Sequence, residues 1–108
     1  MALINLTIIT GNVVDTPKTE KHGDTIVTKF SIAHNVGKDK PAHFFDCVAF
    51  GQPSADYIGE KAPKGRRVTV QGRLDQSKWT TDEGNRSRVQ IIVDQVQPNR
   101  EPKADEEA

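Results

Sequence analysis

Gly51-Gln-Pro-Ser-Ala-Asp-Tyr-Ile-Gly-Glu-Lys-Ala-Pro-Lys-Gly65 is the one stretch of this chain that reads as helix, and its position decides the fold. Pro53 suits a first helical turn, and Gly65 suits a helix end or the turn beyond it. Tyr57 and Ile58 supply the apolar side, while Pro63 limits the run to about two turns. An element this short caps or plugs a structure that other elements build.

Outward from it in both directions, β-branched residues alternate with polar ones between Gly, Pro, Asn and Asp clusters. Upstream, residues 4–14 form a first strand, with Gly11 where a bulge or sharp bend is expected. After a polar connection containing Gly23, residues 24–35 form a second, with Ile26, Thr28, Phe30 and Ile32 on one face and Lys29 and Ser31 on the other. Residues 42–50 form a third strand that hairpins onto the second. Downstream, residues 66–79 place Val68, Val70 and Leu74 inward and Arg67, Gln71 and Arg73 outward, with Gly72 at another bend. The turn 82–85 leads into 86–97, where Val89, Ile91 and Val93 alternate with Arg88, Gln90 and Ile92. Five strands with one short helix between the third and fourth is the order of an all-β OB-fold, a Greek-key barrel that leaves one strand face open. The expected division is a barrel domain over 1–98 and a short acidic, disordered tail over 99–108, which has no large apolar side chain.

A chain of 108 residues and 11.9 kDa fits one domain. Only 34% of its residues are hydrophobic and mean hydropathy is −0.63, so the core is thin and subunit contacts are expected to supplement it. Ile4, Leu6 and Ile8 are apolar positions on the first strand suited to such a contact. No apolar run has membrane-spanning length, and a cytoplasmic location is expected. A single cysteine, Cys47, excludes an internal disulfide framework. Fifteen bases balance fifteen acids, yet the acids cluster at the end, so residues 1–100 carry a net charge of plus three. That asymmetry permits a polyanionic partner without requiring one.

Enzymatic readings find no support in the motifs. There is no phosphate-binding glycine loop of either common type and no H-E-x-x-H. His22, His34, His43 and Cys47 lack paired metal-ligand spacing, and Asp24, Asp46 and Asp94 have no obvious base or nucleophile partner. No cofactor or metal is expected. Phe44 and Phe50 are six residues apart, so a regular strand puts both rings on one face about 20 Å apart. Trp79 ends the fourth strand beside Lys78 at a wet hairpin, where a large ring has little core to fill. Arg66, Arg67, Arg73, Lys78, Arg86 and Arg88 concentrate on the last two strands, with Lys29 and Lys38 on or after the second. Rings that hold bases among cations that track phosphates are the combination expected for single-strand binding. The opposing reading is ordinary core rings and solvated charge.

The chain also resembles the single-stranded DNA-binding proteins of bacteria and their phages, over about residues 5–96. The resemblance rests on Ile8-Ile-Thr-Gly-Asn-Val13 with Asp15 and Pro17, Val27-Thr-Lys-Phe-Ser-Ile-Ala33, Phe44-Phe-Asp-Cys-Val-Ala-Phe-Gly51, Lys64-Gly65, Val70-Gln-Gly-Arg-Leu74, and Lys78-Trp79 followed by Gly84. It implies an OB-fold subunit of a homotetramer that coats single-stranded DNA in replication, recombination and repair, nucleoid-associated in the cytoplasm and without enzymatic activity. By position it implies stacking on Phe44, Phe50 and Trp79; the reading of the charges adds Arg66, Arg67, Arg73, Lys78 and Arg86 as phosphate contacts, with Lys38 as a further DNA contact. A fourth ring usual in the family falls near Lys38, where a cation stands instead. The family's long linker and acidic tip with terminal Pro-Phe are not matched by Asp105-Glu-Glu-Ala108, which puts docking through that tip in doubt while leaving replication and repair proteins as possible partners. The alternative is an OB-fold protein-interaction or replication-restart accessory module with weak DNA binding, favoured by the neutral charge and the missing ring.

Overall fold

The structure, a computed structural model, describes residues 3–99; apart from Asn99, the expected acidic tail lies outside the described residues. Alternating β-branched sequence produces strands β1 (Thr7–Val13), β2 (Lys18–His22), β3 (Thr25–His34), β4 (His43–Phe50), β5 (Arg67–Thr81) and β6 (Gly84–Pro98), with helix α1 (Gln52–Lys61) between β4 and β5. The sheet order is β1-β5-β6-β4-β3-β2, and β1 also pairs with β3 through Asn12↔Ala33 and Val13↔Ile32. That second pairing closes β1, β5, β6, β4 and β3 into a barrel. The one parallel pairing, β4 with β6 at Cys47↔Ile91 and Val48↔Ile92, gives the Greek-key crossing of the expected OB-fold.

The expected five strands are all present, and β2 is a sixth. Every residue of β2 is exposed, so it has no apolar face by which a sequence pattern announces a strand. It forms because the outer edge of β3 offers unpaired backbone groups, taken up from Lys18↔Lys29 to His22↔Thr25. The Thr19 and Thr28 hydroxyls, 3.2 Å apart, join the same pairing.

The barrel interior is filled by Val13, Phe30, Ile32, Cys47, Ala49, Val68, Val70, Ile91 and Val96. Helix α1 runs ten residues, longer than the two turns expected, and closes one barrel end by burying Ala55 and Ile58. Ala62, the residue after it, is also fully buried. Tyr57, expected beside Ile58 on the apolar side, instead faces solvent. Ile58 takes the inward position because residues three and four apart share a helix face, which groups it with Ala55 and Ala62.

Two glycines make the closure possible. Gly11 lies in regular strand rather than at a bulge, and a Cβ there would stand 2.8 Å from the Ala33 carbonyl oxygen, where β1 leaves β5 for β3. Gly72 sits at the irregularity where Gln71↔Gln95 is followed by Gly72↔Val93, leaving Asp94 as the extra residue of a bulge on β6. The bulge changes strand parity, so that Ile91, Val93 and Val96 all belong to the inward side.

Candidate nucleic-acid interface

Strand β4 has two faces of opposite character. Phe45, Cys47 and Ala49 belong to the barrel core, whereas Phe44, Asp46, Val48 and Phe50 point outward. Among the described residues no helix or loop layer covers that outer side, and Phe44 is 66% and Phe50 49% exposed. Between them, Val48 joins Val27 and Ile92 in a small separate cluster, a firm apolar floor beneath the exposed rings.

Register carries the same face across neighbouring strands. Phe44, Asp46, Val48 and Phe50 lie opposite Ala33, Ser31, Lys29 and Val27 of β3. On the other flank, Val48 lies beside Ile92, which is opposite Arg73, and the outward series continues through Asp75↔Gln90, Ser77↔Arg88 and Trp79↔Arg86. β1 accompanies β5 only as far as Gly72. Beyond that point the hairpin leaves the barrel, so Leu74 and Val89 keep inward parity yet are exposed. Trp79 stands on this projecting arm, 46% exposed.

The expected contact residues divide by location. Phe44, Phe50, Arg73, Trp79 and Arg86 share the continuous outer face. Lys78 has opposite parity to Trp79 but lines the same cleft at the hairpin with Trp79 and Arg86. Lys38 is exposed in the β3–β4 connection, just before Phe44. Arg67 lies opposite Asn12, in a groove shared with Ala33, His34 and Asn35, and so on the flank where β1 meets β3. Arg66 is not brought to the aromatic face: its Nη2 donates to the Asn99 carbonyl at 2.9 Å, tying the start of β5 to the end of β6.

Charge on the face is partly neutralised from within. Arg88 Nε donates to Asp46 Oδ2 at 2.8 Å, and Ser31 Oγ donates to Asp46 Oδ1 at 2.9 Å. Lys29 Nζ lies 3.3 Å from Glu20 Oε2, which is also 3.0 Å from His22 Nε2. Hydrogen bonds from His22 and then Lys29 hold the Glu20 carboxyl below its ordinary pKa of 4.5. Arg86 Nη2 lies 3.1 Å from Glu83 Oε2. Lys38, Arg67, Arg73 and Lys78 have no ion-pair partner among the described residues, which leaves their charges available to an external anion.

Sequence reasoning offered Lys29 and Arg88 among the cations for a phosphate backbone but missed Lys18 and Gln90 as their neighbours, and Asp46 between them. All line one concavity of ≈ 240 Å³ on the outer face. The signal existed for Lys29, which follows Thr28 on the face opposite the core, and for Arg88, which shares parity with Arg86. Placing them beside Phe44 and Phe50 required the register between strands. The four residues weighed as metal ligands form no metal-holding group among the described residues: Cys47 is in the core, His22 bonds Glu20 on the β2 edge, and His34, opposite His43, donates through Nδ1 to the Thr10 carbonyl at 2.7 Å.

The chain has relatives among known proteins. The single-stranded DNA-binding protein of Aquifex aeolicus is 32% identical over 112 residues, covering 96% of this chain and 76% of that protein. That of Fusobacterium nucleatum is 32% identical over 103 residues, covering 87% and 66%. A solved structure described as a Plasmodium falciparum SSB complex with ssDNA matches with a TM-score of 0.79 and 25% identity, over 93% of this chain and 98% of that one. Residues 4–99 match the single-strand binding protein family, and the chain belongs to that family.

Proposed function

We propose that this chain binds and protects single-stranded DNA without strong sequence preference, in DNA replication, recombination and repair, and that it acts by binding and not as an enzyme. The observation that carries this reading is the exposure of Phe44, Phe50 and Trp79 on one outer face, near Arg73 and Lys78, which have no ion-pair partner among the described residues. Every nucleobase has a π-face, so stacking holds the strand whatever its sequence, at about 1–3 kcal/mol per base. Arg73, Lys78 and Arg86 take phosphates along the hairpin, with Lys38 and Arg67 at the flanks and Lys18, Lys29 and Arg88 between the rings. Arg66 serves the fold. The partner is single-stranded DNA, and the working unit is a homotetramer in the cytoplasm, associated with the nucleoid. Leu3, Ile4, Leu6 and Ile8, 60–94% exposed before and within β1, support subunit contact.

Trp79 is the only tryptophan, so its fluorescence reports on the site directly. Titration with oligo-dT at low and high salt is expected to give strong, saturable quenching, weaker in salt with a slope of about −0.7 per phosphate neutralised. Absence of quenching and of binding to any single strand would reject the proposal in favour of a protein-interaction module.

A further inference from the structure

The groove where β1 meets β3 differs in charge from the concavity around Asp46. It encloses ≈ 260 Å³ and is lined by residues of β1, β3 and β5 and by Asn35 just beyond β3, none of them a carboxylate. Lys29 and Arg88 are each held by an acid, whereas Arg67 in this groove is exposed and has no ion-pair partner among the described residues. His34 forms one wall, fixed by the bond its Nδ1 donates to the Thr10 carbonyl at 2.7 Å. The Thr10 and Thr69 hydroxyls satisfy each other at 2.8 Å. The Asn12 and Asn35 amides make no hydrogen bond among the described residues, so their N–H groups stand available beside the guanidinium. A guanidinium joined by neutral amide donors, with no acid nearby, is a phosphate-binding set.

Register links this groove to the rings. Arg67 lies opposite Asn12, Asn12 opposite Ala33, and Ala33 opposite Phe44. The four residues form one outward row across β5, β1, β3 and β4, and three inter-strand steps of about 4.8 Å put Arg67 about 14 Å from Phe44 along the barrel wall. Ala33, in the middle of the row, is the smallest outward side chain of β3, so the wall is lowest where the row crosses it. We infer that a strand stacked on Phe44 continues over Ala33 and seats a backbone phosphate on Arg67 and Asn12, on the flank of β4 opposite the β5–β6 hairpin. The ligand there is the phosphodiester backbone of single-stranded DNA, held without regard to base. This inference rests on the proposed single-strand binding and adds a route and a length to it. The further 14 Å or so takes about four nucleotides at the roughly 3.4 Å per phosphate of a stacked strand.

The test uses the full chain and labelled oligo-dT strands of increasing length, titrated at several salt concentrations. Strands long enough to reach the groove are expected to bind with a salt slope steeper by about 0.7 than strands that cover the rings alone. Arg67→Ala is expected to remove that increment, about fivefold in affinity for each tenfold fall in salt, and to leave the short strands unchanged. Ala33→Glu, with its fold checked by circular dichroism, places a carboxylate on the route and is expected to weaken long strands well beyond short ones. Arg67→Ala, at an exposed strand position, decides the case if Ala33→Glu does not fold. Equal weakening of short and long strands by Arg67→Ala overturns the inference, because diffuse charge alone predicts that. So does unchanged binding of long strands by the same variant, and so does a smaller assembled mass in light scattering, which would make the groove a subunit contact. Long strands that tolerate Ala33→Glu overturn the route over Ala33. These results leave single-strand binding intact, whereas failure of every oligo-dT to bind removes both proposals together.

Discussion

Trp79 and Arg86 are opposite partners in the β5–β6 ladder, on the same face of a hairpin that has already left the barrel. A strand turn earlier or later in register would separate the ring from the guanidinium, because side chains alternate between faces. Glu83 holds the guanidinium at 3.1 Å, so ring and cation are presented together at the projecting tip. Removing the ring by Trp79→Ala is expected to weaken single-strand binding by about 1–3 kcal/mol. Anisotropy of a labelled oligonucleotide measures it, since the intrinsic fluorescence is lost with the ring. Unchanged affinity would show that the tip does not touch the strand.

The proposed function assigns Arg73 and Arg66 different roles although both lie at or beside β5. Arg73→Ala is expected to reduce the salt slope of binding by about 0.7 for the phosphate contact it removes. Arg66→Ala is expected to leave the slope alone and lower the unfolding midpoint, since the guanidinium bonds the Asn99 carbonyl. Salt titrations and urea melts of the two variants separate these outcomes, and a reduced slope in Arg66→Ala contradicts the division.

Gly72→Ala tests the bulge. The added Cβ would overlap the Ile92 carbonyl oxygen, a backbone atom that no rotamer change can move aside. A loss of about 1–3 kcal/mol or more is expected. A urea midpoint equal to that of the unaltered chain would show that β5 and β6 part at no cost.

Cys47 makes stability depend on pH at the alkaline end. Burial in the barrel, and then the neighbouring charge of Asp46, push its thiol up to about 12 from an ordinary 9.0. The folded chain keeps this proton after the unfolded chain has begun to lose it. The contribution is therefore fully present below the unfolded pKa and declines as pH rises from about 9 towards 12. Denaturant midpoints across that interval should fall more steeply for the unaltered chain than for Cys47→Ala. Parallel curves for the two would place the thiol outside the linkage.

Ile8→Asp addresses assembly. Ile8 lies on β1 opposite Gln71 and is 61% exposed, within the apolar strip that starts at Leu3. A carboxylate placed there should shift the species seen by light scattering to a smaller mass, with the subunit fold kept. An unchanged mass would locate the subunit contact elsewhere.

Much of this architecture was legible before any coordinates. The alternation around Phe30, Val70 and Ile91 marks core strands because each has one buried face, and Pro53 and Pro63 bound the helix through the chemistry of proline itself. Strand β2 was not legible, since backbone pairing along an edge leaves no trace in side-chain polarity. Nor was the outward turn of Tyr57, which depends on which helix face meets the barrel end. At the site, the common face of Phe44 and Phe50 followed from strand parity alone, and the exposure of Trp79 from its place beside Lys78 at a polar hairpin end.

The sequence by itself determined the number and polarity of the barrel strands, the place of the helix and the outward side of Phe44 and Phe50, because these depend on local periodicity and on residues close in the chain. Only the tertiary structure decided what stands beside those rings. Arg88 meets Asp46 across 42 positions of sequence, and Arg66 reaches Asn99 across 33. Such meetings depend on inter-strand register and on the Asp94 bulge, which are settled when the barrel closes as a whole and not within any one strand.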